Sequence, residues 1–337
     1  MHIKVNKIIW SIVCICFLFF LIYIIYGYNN TYKEYKTTFN YMDTNIEVRI
    51  YSKDETLAKR ELIEVEKIFD KYHKLTDRYN SYEGVNNIYY IHNNTSSDEY
   101  IKLDKELYDL ILYANNYTEK TDGLFDIKMG NVLDLWHQYR TLNMGIPTYE
   151  ELKIASSYDK EIILKDDNLI YNNHVNIDLG AVAKGYTTKV VANYLESKGL
   201  NKYLINAGGN VVVGDYYNNA GEYKIGIQDP KTNGIFKVIK GNNISVVTSG
   251  SYERYYEYNG KIYSHIINPK TLYPVDEFLS VTVICDDSAL ADVLSTYLFL
   301  IDIDSGIRYV ENLDGVEAIW YIDDDNIKKT SGVVFYE

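Results

Sequence analysis

From Ile8 to Tyr26 the chain is apolar and uncharged, so whatever fold follows must be built without this run. At roughly 1.5 Å per helical residue the run is just long enough to cross the hydrocarbon core of a bilayer. Lys4 and Lys7 precede it. Cationic flanks stay on the cytoplasmic side, which puts the rest of the chain outside, although Lys33 and Lys36 on the far side pull against that orientation. The run exceeds the usual apolar stretch of a signal peptide, and no small-x-small cleavage pattern follows it. Residues 1–28 are therefore read as a single membrane-spanning anchor, with a cleaved signal segment as the alternative. Residues 29–36 are read as a polar connector, and 37–337 as one folded domain on the outer side of the membrane.

That domain must be held together by an ordinary core. Cys14 and Cys16 lie inside the apolar run, and Cys285 is the only other cysteine, so the body cannot form an internal disulfide. With 337 residues and 47 % hydrophobic content there is ample material for a large core. The net charge is -13, and because residues 1–28 contain Lys4 and Lys7 but no acid, the remainder carries -15. Such a body repels a nucleic-acid backbone, so nucleic acid is excluded as a partner. A phosphate-bearing ligand would need a local cation, which points to a metal ion.

Period-two alternation at Ile46, Val48 and Ile50 predicts a half-buried strand over 38–52. Helical spacing predicts helices over 57–69, 104–118 and 288–300, and a helix opened by Asp178 that runs to Ser197 and stops at Gly199. Hairpins are expected around Asp166-Asp167-Asn168 and Asn259-Gly260, a strand at 203 leading into Gly208-Gly209, and a buried strand over 281–285. Strands and helices mix without regular alternation, which predicts α+β architecture with mixed or antiparallel sheets and packed helices, and argues against a doubly wound parallel sheet.

The segment Asn176-Ile177-Asp178-Leu179-Gly180-Ala181-Val182-Ala183-Lys184-Gly185 sets a carboxylate, a glycine-opened turn and a lysine at the start of a helix. Unpaired backbone N–H groups at such an entrance suit a phosphate. Further on, Asp292 and Thr296 stand four apart on one helix face, where both can offer oxygen to a hard cation such as magnesium. Taken singly, each feature has a plainer reading. An Asp/Thr pair can be a solvated face, Met42 and Phe125 can be core, Gly208-Gly209 can be only a tight turn, and His265 between isoleucines can be a satisfied strand histidine.

Their order is more informative. Asn176–Gly185, Asn206-Ala207-Gly208-Gly209-Asn210, Thr248-Ser249-Gly250-Ser251-Tyr252, His265-Ile266-Ile267-Asn268-Pro269-Lys270-Thr271 and Ala291-Asp292-Val293-Leu294-Ser295-Thr296 follow one another in a spacing that resembles the ApbE family of FAD:protein FMN transferases. The resemblance covers about 38–320 and implies a T-fold-related architecture. It implies magnesium held by the Ala181 carbonyl, Asp292 and Thr296. It also implies FAD contacts from Met42, Tyr79, Leu124, Phe125, Asp126, Asp178, Lys184, His265 and Ile266. Three positions depart from the family pattern: Asp43 and Leu272 stand where glycine is usual, and Asn268 where aspartate is usual.

The activity this implies is magnesium-dependent transfer of FMN from FAD to a Thr or Ser hydroxyl of an exported flavoprotein acceptor, with release of AMP. His265 is the candidate general base, with Asp178 as the alternative, and Lys184 supplies a second cation. Hydrolysis of FAD to FMN and AMP, or flavin binding without turnover by a membrane-tethered protein, are the rival expectations.

Overall fold

The computed structural model describes residues 31–336 apart from 95–98, 158–160, 219, 233, 253, 324 and 325, together with Trp10, Val13, Ile15, Phe17, Leu18 and Phe19. Most of the run from Ile8 to Tyr26 thus lies outside the described residues. Among those described, no helix is long and apolar enough to cross a membrane.

In chain order the strands are β1 (Lys33–Tyr41), β2 (Thr44–Ser52), β3 (Ile101–Lys102), β4 (Glu161–Lys165), β5 (Leu169–Asn173), β6 (Tyr203–Ala207), β7 (Asn210–Val213), β8 (Tyr223–Gln228), β9 (Ile235–Gly241), β10 (Ile244–Gly250), β11 (Tyr255–Tyr258), β12 (Lys261–Ser264), β13 (Ser280–Cys285), β14 (Glu317–Asp323) and β15 (Asn326–Lys329). The helices are α1 (Glu55–Thr76), α2 (Ile88–Asn93), α3 (Lys105–Lys120), α4 (Gly130–Leu142), α5 (Tyr149–Ser156), α6 (Ala183–Ser197), α7 (Ser288–Phe299) and α8 (Ile303–Val310). One eight-stranded sheet in the order β1-β2-β6-β7-β10-β13-β14-β15 organises the molecule, and every neighbouring pair in it is antiparallel. The α+β expectation holds.

Burial explains the layering. β13 is buried along nearly its whole length, Val281, Val283 and Cys285 facing α7 and α8 while Ser280 and Thr282 are also covered. On one side, α1 and α6 close over Ile46, Val48, Ile50 and Ile205. The β8–β9 hairpin covers a further patch made by Val213, Val246 and Ile319. α6 ends as the glycine foretold: Gly199 takes φ +73°, and the N–H groups of Gly199 and Leu200 donate to the carbonyls of Glu196 and Leu195.

Three expectations need correction. β1 begins at Lys33, so half of the supposed connector 29–36 belongs to the sheet. The strand expected over 38–52 is two strands folded into a hairpin at Met42-Asp43, whose φ values of +53° and +56° make the turn. The turn carries no glycine to announce it, so the alternation of β2 ran on into it. Finally, Asp178 does not open α6, which starts at Ala183. Asp178 instead accepts a hydrogen bond from the Gly180 N–H at 2.8 Å, and this local bond competes with helix formation.

Candidate active site

A cavity of about 680 Å³ lies where the entrance to α6, the first turns of α7, the β1–β2 turn and the β10–β12 segment converge. All twelve site residues named from the sequence line it: Met42, Tyr79, Leu124, Phe125, Asp126, Asp178, Ala181, Lys184, His265, Ile266, Asp292 and Thr296. They come from six separate stretches of the chain, so the fold assembles the cluster and no local motif contains it.

The floor is the contact between α6 and α7. A Cβ on Gly185 would come within 2.4 Å of the Ser288 carbonyl oxygen and 2.5 Å of the Asp292 Cβ, so only glycine lets these helices approach. That approach allows the Gly185 N–H to donate to Asp292 Oδ2 at 2.7 Å. Asp292 is buried, and burial raises its pKa against the opposing pull of Lys184 and the Gly185 N–H. A buried carboxylate with so little compensation is a group that gains from a cation. Beside it, neither the Thr296 hydroxyl nor the Ala181 carbonyl enters a hydrogen bond among the described residues. All three line the same cavity and offer oxygens of the kind that a magnesium-type ion takes.

Asp178 has no such freedom. Its Oδ2 accepts from Arg78 Nη1 at 2.5 Å and its Oδ1 from Gly180. Arg78 also donates to Asp134 Oδ2 at 2.8 Å and to the Gly130 carbonyl at 3.2 Å, and its side chain is 7 % exposed. Burial works against the guanidinium charge, but Asp178 and Asp134 more than restore it and hold its pKa above the ordinary value. Asp178 is thus the anchor of the loop that carries Ala181 and leads into α6, where Lys184 sits, and a poor choice of base.

His265 is better placed. Its backbone N–H donates to the Arg254 carbonyl at 3.0 Å, and its Nδ1 lies 3.1 Å from the same oxygen, which fixes the proton on Nδ1 and leaves Nε2 as acceptor. His265 is exposed to the cavity yet is flanked closely by protein. That enclosure, opposed by the bond to Arg254 and reinforced by the charges of Arg254, Lys184 and Arg140, pushes its pKa down to about 4. At neutral pH it is an uncharged imidazole.

Part of the remaining wall is apolar or aromatic. Met42 is half-buried, its N–H donating to His73 Nδ1 at 3.4 Å. Tyr79 is 59 % exposed at the mouth, with the Arg78 guanidinium 5.4 Å from its ring centre. Phe125 lines the cavity but is 2 % exposed and belongs to the core cluster with Ile127 and Leu179, so its plainer reading also holds. The departures from the pattern are accommodated. Asp43 and Leu272 both sit at positive φ, where glycine is the easier residue, and Asn268 Oδ1 accepts from the N–H groups of Lys270 and Thr271, a turn role that aspartate would fill equally.

Sequence reasoning passed over Arg78, His73, Trp136, Arg140 and Arg254, all of which line the cavity. Arg78 carries no local signature, because Asp134 and Asp178 stand 56 and 100 residues away.

Oxygen donors suited to a hard cation, several cationic side chains, a neutral imidazole and aromatic side chains share one cleft, the lining of an enzyme site for a phosphate-bearing ligand. The profile of the ApbE family matches residues 42–320, and the chain belongs to that family. A Klebsiella pneumoniae (strain 342) protein is 30 % identical over 287 residues, covering 83 % of this chain and 86 % of its own length. One from Treponema pallidum (strain Nichols) is 29 % identical, covering 69 % and 70 %. Both are FAD:protein FMN transferases by name. The crystal structure of the ApbE protein from Thermotoga maritima superposes with a TM-score of 0.80 at 26 % identity, over 89 % of this chain and 97 % of that one. The flavin transferase ApbE from Vibrio cholerae shares the fold, with a TM-score of 0.74 at 22 % identity over 89 % and 98 %.

Proposed function

We propose that this protein transfers the FMN half of FAD to a Thr or Ser hydroxyl of an acceptor protein and releases AMP. The observation that carries this reading is the convergence of Asp292, Thr296, Ala181, Lys184 and His265 on one cavity whose wall is partly apolar or aromatic. Relatives named for that reaction match most of the chain.

The chemistry is an in-line displacement at the phosphorus of the FMN half. The acceptor Oγ forms a bond to that phosphorus, the anhydride bond to the AMP phosphate breaks, and the electron pair leaves with AMP. His265 Nε2 takes the hydroxyl proton as a neutral general base. Lys184 lines the cavity, where it would offset the charge of the phosphates, while Arg78 and Asp178 hold the loop that leads into its helix. Asp292, Thr296 and the Ala181 carbonyl are the groups that would hold magnesium, which when bound would neutralise the pyrophosphate and the departing phosphate. Met42, Tyr79, Ile266 and the segment Leu124-Phe125-Asp126 bound the space for the isoalloxazine ring.

The run from Ile8 to Tyr26 and its Lys4/Lys7 flank favour a domain tethered to the membrane on its outer side, with exported flavoproteins as acceptors. Because His265 is exposed to the cavity, a water molecule can replace the acceptor hydroxyl, and FAD hydrolysis to FMN and AMP is the second reading. The test is incubation with FAD, magnesium and an acceptor protein. Flavin fluorescence that stays on the denatured acceptor supports transfer, free FMN with AMP supports hydrolysis, and intact FAD supports binding alone.

A further inference from the structure

The cavity opens sideways into a shallower groove walled by Asp43, Tyr79, His137, Arg140, Arg254 and Tyr255. All of these except Tyr255 also line the main cavity, so the groove is its mouth. The charge there is the reverse of the molecule's. The body carries -15, yet two arginines and a histidine face a single carboxylate among the described groove residues. Arg140 Nη2 contacts His137 Nδ1 at 2.8 Å and, among the described residues, pairs with no acid. Arg254 Nη2 is 3.7 Å from Asp43 Oδ2, with side-chain exposures of 53 % and 81 %, a loose pair that solvent screens.

A hydroxyl that approaches the cavity along this groove brings the residues flanking it across these side chains. The net negative charge of the body disfavours an acidic partner, and the cations at this mouth offset that locally. Local cations therefore set where, and in what register, such a partner docks.

We propose that the mouth is the docking site of the acceptor and that it takes a segment with Asp or Glu beside the target Thr or Ser. The incoming carboxylate displaces Asp43 from Arg254 and pairs with Arg254 and Arg140, whose planar guanidinium groups suit two-point binding. Exposed Tyr79 and Tyr255 give the segment flat walls. Asp43, which stands where the family usually has glycine, acts as this chain's own competitor for the site. The proposal rests on the transfer reading above.

The experiment uses the full chain in detergent, loaded with FAD, and two rhodamine-labelled peptides: one with a single Thr flanked by Asp, the other with Asn in place of each Asp. Anisotropy gives peptide affinity, and flavin fluorescence gives FAD affinity separately. The acidic peptide should bind about tenfold more tightly at low salt, with the advantage shrinking as salt rises. Arg140→Ser with Arg254→Ser should erase the preference while FAD affinity stays within about threefold. Asp43→Asn, which keeps a residue tolerant of positive φ, should tighten the acidic peptide by about threefold. Equal binding of the two peptides, or a preference that survives the double variant, overturns the proposal. So does loss of FAD affinity in step with peptide affinity, which would assign these arginines to FAD. The transfer reading fails on a different measurement: wild-type protein that leaves FAD unbound.

Discussion

Replacing Gly185 by alanine sets two effects of opposite sign against each other. Alanine is the better helix former, by about 1 kcal/mol, so propensity alone predicts a more stable protein. The structure predicts the reverse. The new methyl would sit 2.4 Å from the Ser288 carbonyl oxygen and 2.5 Å from Asp292 Cβ, atoms fixed to the helix that cannot swing aside. Restoring ordinary contact requires α6 and α7 to part by roughly 1 Å, and overpacking of this kind costs about 1–3 kcal/mol. Parting also stretches the 2.7 Å bond from the Gly185 N–H to the buried Asp292 carboxylate, a charge-assisted bond worth about 1.5–3 kcal/mol. With the propensity gain subtracted, the net loss is about 1.5–5 kcal/mol, or, for a domain of this size, a fall of roughly 2–8 °C in the unfolding midpoint. Thermal unfolding followed by circular dichroism measures it. A midpoint equal to or above that of the wild type would show that the helices are not in the contact described.

Arg78→Met leaves Asp178 and Asp134 facing each other without their cation and should destabilise the fold by about 3 kcal/mol, measured by urea unfolding; Arg78→Lys should recover only part, since one ammonium cannot span three acceptors. Because the His265 pKa is pushed down to about 4, the base is already deprotonated well below neutrality, so kcat/KM should stay level on acidification and fall only as the pH nears that value. A pH–rate profile with its acid limb at the ordinary histidine value of about 6.5 would contradict this environment. Asp292 runs the other way: folding raises its pKa, so the ionised carboxylate costs stability above that value and the cost is relieved as pH falls through it. Asp292→Asn keeps an acceptor for the Gly185 N–H and removes the buried charge, so the metal-free variant should unfold no earlier than the wild type at neutral pH, while magnesium should raise the midpoint of the wild type alone. Removing residues 1–30 should leave a folded protein that still binds FAD, as β1 begins at Lys33 and the first site residue is Met42; failure of the truncated protein to bind FAD by fluorescence quenching would counter this.

What was legible in the chain follows from how local each signal is. Helix α7, the Asn259-Gly260 hairpin and the stop of α6 at Gly199 rest on contacts within a few residues, and all three are where the sequence put them. The β1–β2 turn was hidden because Met42 and Asp43 adopt a conformation that glycine or asparagine would have advertised. Asp178 misled for a related reason: an acid before a run of helix formers reads as a cap, but its Oδ1 turns back to Gly180 and its Oδ2 goes to Arg78. The candidate site emerged from collinear motifs, and those twelve positions do share one cavity. Its supporting cations did not emerge. Arg78, Arg140 and Arg254 are single residues in unremarkable surroundings, and only folding brings them to the cleft.

The central claim is that a protein hydroxyl takes the flavin-bearing phosphate from FAD. Its most direct test is the intact mass of an acceptor incubated with FAD, magnesium and this protein, with AMP quantified in the same reaction. The account predicts an acceptor heavier by one FMN less one water, mapped to a Thr or Ser, one AMP for each flavin attached, and loss of both products with Asp292→Asn. AMP released together with free FMN while the acceptor mass stays unchanged would contradict it.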